Sequence, residues 1–296
     1  MRVLLSGATG LIGQAVQARL SADHEVVTLG RGEGAGVRAD LSDPAAVAAL
    51  ALPPVDAFVH CAGIVDEDFR DSPERALRMA VFGAGAAVER AIAAGATRLV
   101  YISSAHAYGP MVGKVDEASP INPMSDYAIS HFATEQVFAR RASDSLSVLI
   151  LRPCAVFGDL ADAGRFRRWS LIPFSFPRDA ILQSKIVIKS TGEQRRNFVG
   201  TQDIAHQIAH WLAALGPGRT VRNAIGETSA TVHEFAQMCA AVSERLTGQP
   251  CAIERVTPTG PTVGQDYDYR TLTPPAWPLQ SLEAFAERLM SKLKEA

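Results

Sequence analysis

The sequence predicts an α/β protein, a doubly wound parallel-sheet Rossmann domain joined to a smaller, mostly C-terminal α/β domain. Three observations predict it. A strand-like run from Arg2 to Leu5 enters a turn spaced by Gly7, Gly10 and Gly13 and passes directly into the helical pattern LIGQAVQARL. Short β-rich runs and helical segments then alternate through the front half, the pattern of a parallel sheet covered on both faces. At 296 residues and 47% hydrophobic, the chain is long enough for one large domain or two smaller ones with a substantial core.

The elements follow in order. RVLLSG reads as the first strand, HEVVTLG as the second, DPAAVAAL as a short helix and DAFVHCAG as a third strand. A long amphipathic segment from about Pro73 to Ala94 leads into TRLVYISSA, and another from about Ser125 to Ala142 leads into LSVLILRPCAVFG; both read as helix then buried strand. Beyond Gly158 the pattern loosens into a stretch rich in Arg, aromatic residues and Pro, with a short strand in KIVIKS, and is assigned to the substrate. TQDIAHQIAHWLAAL then reads as a helix, VRNAIG as a strand and TVHEFAQMCAAVSERL as a helix. After the Pro-rich TPPAWPLQ a final helix runs from about Ser281 to Lys294. Residues 1–158 are expected to form the dinucleotide-binding domain, with later returns near 197–225, and 159–296 the interleaved substrate region.

Composition narrows the function. A formal charge of −2 and the absence of a basic tail favour neither nucleic acid nor an anionic membrane as partner. No apolar stretch reaches the roughly 20 residues of a membrane span, and the first residues read as a core strand, so a cytoplasmic protein is expected. Cys61, Cys154, Cys239 and Cys251 are dispersed with no CxxC pair, so reduced packing thiols and no metal site are expected.

The glycine turn carries the first chemical argument. A parallel strand that ends in a tight turn at a helix N-terminus presents backbone N–H groups and the positive end of the helix dipole, where a pyrophosphate fits. Glycine suits the turn because a side chain would block both the ligand and the approach of helix to strand.

With these motifs in place the chain resembles the extended short-chain dehydrogenase/reductase family, the NAD-dependent epimerase/dehydratase group acting mainly on nucleotide-linked sugars. The resemblance runs through SGATGLIG, Asp40-Leu41, HCAG at 60–63, ISSAHAYG at 102–109, Tyr127 and its helix, LRPCAVFG at 151–158, RRNFVGTQDIA at 195–205, and NAIG followed by TVHEFA. It implies a nicotinamide dinucleotide held by Gly7, Thr9, Gly10, Leu11, Ile12 and Gly13, with Asp40 and Leu41 beside the adenine. Ala62 and Gly63 would lie along the pyrophosphate and ribose, with Tyr127 and His131 also on the cofactor. Asp40 has a second reading, as a residue that turns a loop. NAD-specific sites place a carboxylate after the second strand, whereas NADP needs a cation there. That strand ends Leu29-Gly30-Arg31-Gly32, so NADP held through Arg31 is expected, with NAD as the other candidate and a solvated loop role as the alternative for Arg31.

The implied chemistry is hydride transfer with proton exchange at a hydroxyl or carbonyl. Tyr127 takes the proton role and Ser104, four residues before Tyr108, fixes the reacting oxygen. His106 reads either as an additional acid or base or as a residue making one structural hydrogen bond. The family places Lys four residues after the tyrosine, on the same helical face; here that residue is His131. An imidazole is shorter, mostly neutral at pH 7 and cannot offer three ammonium protons, so phenol activation and ribose binding should weaken. Either His131 still bonds the ribose and supports turnover with an altered pH profile, or the scaffold binds a nucleotide without efficient turnover. Ala80 stands where relatives often carry Asn, so a polar link to the catalytic centre is expected to be missing.

For the substrate, the resemblance points to Arg195 and Arg196 as phosphate ligands, because a guanidinium bonds phosphate oxygens in pairs; Arg165, Arg167 and Arg168 lie nearby in sequence. Phe174, Phe176 and Trp169 read as packing rather than as a sugar pocket, and Asp203 as a helix start or a partner of Arg196. The expected function is an NAD(P)-dependent oxidoreductase or epimerase acting on a nucleotide-activated sugar or related small metabolite by 4-ketoreduction or 4-epimerisation. The absence of an Asp-Glu pair at Ala105-His106 disfavours 4,6-dehydration. The alternative is a catalytically degenerate dinucleotide-binding regulatory or scaffold protein. A homodimer is expected by analogy, pairing through the helices around 73–94 and 125–142.

Overall fold

The computed structural model describes residues 1–164, 166–214, 216–256 and 267–295. In chain order it opens β1 (Arg2–Ser6), α1 (Leu11–Leu20), β2 (Glu25–Gly30), β3 (Val37–Arg38), α2 (Pro44–Ala48), β4 (Ala57–His60), α3 (Asp66–Asp71), α4 (Pro73–Leu77), α5 (Ala84–Ala93) and β5 (Arg98–Ile102). Then follow β6 (Gly113–Val115), α6 (Asp126–Ala139), β7 (Ser147–Pro153), β8 (Ala155–Phe157), α7 (Ile172–Gln183), β9 (Lys185–Ile188) and β10 (Arg195–Gly200). The chain closes with α8 (Thr201–Ala213), β11 (Gly218–Ala224), β12 (Thr228–Thr231), α9 (Val232–Thr247), β13 (Ala252–Arg255), β14 (Tyr267–Tyr269) and α10 (Leu282–Glu295). Among the described residues no helix is long and apolar enough to cross a membrane.

Contacts divide the chain into two compact units. The first comprises Met1–Pro110, Glu117–Pro153 and Ile204–Ala224. Its sheet has seven parallel strands among the described residues, in the order β11-β7-β5-β4-β1-β2-β3. Successive strands run one way from β1 and the other way from β4, so the order reverses between these two neighbours. Ligands of open α/β sheets bind at the carboxyl ends of the strands at such a reversal. The strands are apolar because both faces are buried: on one, Leu4, Phe58, Leu99, Val148 and Ile150 pack with Ala84, Ala87, Val88 and Ala91 of α5 and Phe138 of α6, and on the other Val3, Leu5, Val59, Val100 and Leu149 are buried.

The long helical segment expected over 73–94 is interrupted: Arg78–Gly83 winds as a π-helical turn between α4 and α5. Gly83 allows it to press against the neighbouring loop, since a Cβ there would lie 1.8 Å from the Leu41 carbonyl oxygen. α6 starts where Ser125 caps it, its Oγ accepting from Ala128 N at 3.2 Å.

The second unit comprises Met111–Asp116, Cys154–Asp203 and Ile225–Ala296. It pairs β12-β10-β8, β13-β9 and β14-β6. α7 has no helical pattern in the sequence because Pro173 in its first turn and Pro177 inside it break the periodicity. Tertiary packing overrides the prolines: Phe174, Phe176 and Ala180 are buried, and the helix packs on α9 and α10. Phe174 meets Phe285, and Phe176 stacks on Phe235 with ring centroids 5.7 Å apart, so both aromatics are packing, as expected.

Candidate active site

The glycine turn sits at the carboxyl end of β1. Gly7 has φ +73°, and a Cβ on it would lie 2.5 Å from Ala62 N, so the turn and the loop after β4 are in direct backbone contact. A Cβ on Gly13 would lie 1.9 Å from the Gly7 carbonyl oxygen, so helix α1 can approach β1 only with glycine there. Gly10 is less constrained, its nearest contact being 3.3 Å, and it precedes α1 without a side-chain cap or an acidic residue in the first turn. Leu11 and Ile12 are half-buried in that first turn, and the Thr9 carbonyl accepts from Gln14 Nε2 at 2.8 Å. This is a cradle of backbone with side chains excluded, and its helix N-terminus favours an anion. A dinucleotide pyrophosphate fits it.

At the end of β2, Arg31 is exposed and its charge reaches Asp40. Asp40 turns its loop, accepting from Ser42 N at 2.9 Å and Ser42 Oγ at 2.8 Å. Burial pushes its carboxyl up, but the Ser42 bonds and the charges of Arg31 and Arg75 outweigh that and hold it below the ordinary value. Leu41 is buried in the core, and Gly63, after β4, has open space where a side chain would be. Cys61 beside it is a free thiol that burial pushes up to about 12, which leaves it protonated and inert.

The residues assigned to proton exchange come together on α6 and the turn after β5. Tyr127 lies half-buried on the first turn of α6 and packs against two imidazoles: His106 edge-on at 5.8 Å between ring centroids, and His131 at 4.5 Å. Ser104 is buried and its Oγ accepts from His106 N at 3.2 Å, capping the 3-10 turn Ala105–Tyr108. The imidazole of His131 is buried and hydrogen-bonded through Nδ1 to the Tyr101 hydroxyl of β5 at 2.7 Å. Tyr101 in turn lies 5.8 Å from the ring of His60, whose Nδ1 is 2.7 Å from Ser6 Oγ at the base of the glycine turn. Burial drives the His60 value down to about 4, so this imidazole is neutral.

Ala80 offers no polar side chain, and its backbone carbonyl is tied to α6. The Thr134 hydroxyl of α6 bridges the carbonyls of Ala80 and Ser130 at 2.7 and 2.8 Å. Sequence reasoning also missed Tyr101, Glu135 and Arg152. Arg152 donates to both oxygens of Glu135, at 2.8 and 2.6 Å, and Ser103 Oγ donates to the same carboxylate at 2.6 Å. Tyr101 is visible in the sequence only as one more apolar strand residue, because its partner lies 30 positions away.

Arg195 and Arg196 belong to the second unit, at the start of β10. Arg195 donates to the Ser229 carbonyl at 3.0 Å, lies 3.7 Å from Glu234, and lines a cavity with Gly113, Ser229, Tyr267 and Asp268. Arg196 donates to the Arg195 carbonyl at 2.9 Å and also bonds Tyr267. Asp203 lies in the first turn of α8 and accepts from Gly200 N and Gln280 N. Arg167 is exposed and Arg168 half-buried; Arg165 lies outside the described residues. Among the described residues, no three His, Cys, Asp or Glu side chains gather as metal ligands would.

A family model described as NAD dependent epimerase/dehydratase family matches residues 3–223. A 2'-dehydrokanamycin reductase of Streptomyces kanamyceticus is 27% identical over 224 residues, 72% of this chain and 58% of that protein. The curated relatives matched are covered over 51 to 60% of their own lengths. Among solved structures, the UDP-Glc/GlcNAc 4-epimerase from Campylobacter jejuni superposes with a TM-score of 0.78 at 21% identity, over 100% of this chain and 99% of that one. RMD from Pseudomonas aeruginosa, complexed with NADPH, superposes with a TM-score of 0.75 at 20% identity over 100% and 99%. At these identities the superpositions establish the fold.

Proposed function

Because the chain belongs to the NAD dependent epimerase/dehydratase family, we propose that it is an NAD(P)-dependent ketoreductase or 4-epimerase of a nucleotide-activated sugar. One observation carries the reading: the Tyr127 ring packs against both His106 and His131, in the same unit as the backbone cradle at Gly7 and Gly13. A nicotinamide dinucleotide, when bound, supplies or accepts the hydride.

The chain's own residues do the rest. The Gly7–Gly13 turn and the N-terminus of α1 hold the pyrophosphate. Arg31 favours NADP, since no carboxylate stands at the end of β2 and a guanidinium there can pair with a ribose phosphate. Tyr127 exchanges the proton of the substrate oxygen, Ser104 holds that oxygen, and His131 donates to the tyrosine oxygen when it loses its proton. His106, exposed beside Tyr127, returns the proton to solvent. In the second unit, Arg195 and Arg196 bind the substrate diphosphate. A second copy of the chain pairs against the face that includes Phe82 and Ile129, which are 64% and 50% exposed.

The test is turnover of the purified chain with NADPH or NADH against 4-keto and 4-hydroxy sugars linked to uridine, guanosine or thymidine diphosphate. Tyr127→Phe should lower the rate by about 100-fold or more, the usual worth of a positioned acid or base. Equal rates in the two proteins would contradict the role of Tyr127. A folded protein that binds the dinucleotide yet turns over none of these sugars would favour the regulatory or scaffold reading.

A further inference from the structure

His131 does not stand alone in place of an ammonium group; it comes with a buried phenol aimed at it. Tyr101 projects from β5 toward α6, is 3% exposed, and its hydroxyl oxygen is 2.7 Å from His131 Nδ1. We propose that Tyr101 is a positioning residue: its phenol donates to Nδ1 of His131 and so fixes the neutral imidazole in the tautomer that carries its proton on Nε2. This rests on the reading of Tyr127 as the proton-exchanging group.

Two physical arguments give the direction of the bond. The separation of 2.7 Å is at the short end of the N–H···O range and in the middle of the range for hydroxyl donors, which favours the phenol as donor. Burial, opposed by a hydrogen bond with Thr134 and reinforced by the negative charge of Glu135, holds Tyr101 well above the ordinary phenol value, so the hydroxyl keeps the proton that it donates to Nδ1. A neutral imidazole carries one N–H, and with Nδ1 accepting, that N–H is on Nε2. His131 then offers a fixed donor on the imidazole whose ring is 4.5 Å from that of Tyr127. This supplies one directed hydrogen bond to a developing phenolate or a ribose hydroxyl without burying an ammonium charge, whose desolvation would be costly. Without Tyr101, either ring nitrogen could carry the proton and the donor would be lost for part of the population.

The experiment is the tautomer-resolved ¹⁵N–¹H correlation spectrum of the histidine rings at about pH 8, above the ordinary imidazole value. His131 is assigned by the signals lost in His131→Gln. The expected wild-type pattern is a pyrrole-type Nε2 and a pyridine-type Nδ1; the reverse pattern overturns the proposal. Tyr101→Phe, which removes only the hydroxyl, should move His131 toward a tautomer mixture and lower turnover by about tenfold, the worth of one hydrogen bond. An unchanged tautomer in folded Tyr101→Phe also overturns it. The wild-type spectrum needs no variant and no turnover, so failure of the proposed activity and failure of this pairing are read separately.

Discussion

Arg152 of β7 and Glu135 of α6 form a two-point ion pair inside the first unit, at 2.8 and 2.6 Å with side chains only 5% and 1% exposed. The guanidinium also lies 4.8 Å over the ring of Tyr108, whose hydroxyl donates to Asn223 Oδ1 of β11 at 2.8 Å. The pair therefore ties the helix that bears Tyr127 to the strand two places from β4. Removing one partner leaves the other charge buried and uncompensated. Glu135→Leu should destabilise the chain by about 3–5 kcal/mol in urea unfolding, and a loss below about 1 kcal/mol would show that the pair is not sealed from water.

The glycine cradle makes a second prediction. Gly13→Ala forces a Cβ to within 1.9 Å of the Gly7 carbonyl oxygen, so α1 must move off β1. The expected outcome is a loss of roughly 2–4 kcal/mol together with loss of dinucleotide binding. Gly32→Ala meets open space and should match the wild type in both measurements.

His60 predicts a pH dependence. Its folded value is about 4, against 6.5 unperturbed, so the unfolded chain binds the proton more readily. The contribution to stability is full above pH 6.5 and is lost as the pH falls through the window down to about 4, amounting to about 3 kcal/mol in full. Urea unfolding at about pH 7 and about pH 5 should show the loss, and His60→Asn should flatten it. Equal acid sensitivity in wild type and variant would remove His60 from the account.

Much of the fold was legible because its parts are local. The turn at Gly7, the strands β1, β4 and β5 and the helix α6 each carry their own periodicity or capping signal. α7 is not legible because two prolines mask a helix stabilised by distant partners such as Phe235 and Phe285, and the π-helical turn is not because it depends on the close approach of Gly83 to Leu41. The site divides in the same way. Gly7, Gly13, Ser104 and Tyr127 follow from motifs on contiguous stretches. His131 is visible in the sequence only as the residue at the lysine position, its partner Tyr101 lying on a different element, and Glu135 and Arg152 are ordinary charged residues 17 positions apart. Pairs made by the sheet and its covering helices have no signature in sequence spacing.

The most direct measurement is titration of the purified, folded chain with NADPH and NADH, followed by nicotinamide fluorescence, on the wild type and on Arg31→Ala. The account predicts micromolar binding, NADPH tighter than NADH, and a loss of that preference by about tenfold in Arg31→Ala, as one charge-assisted contact to the phosphate is removed. Failure of the wild type to bind either nucleotide would contradict the cradle at Gly7 and Gly13 and, with it, the hydride-transfer reading.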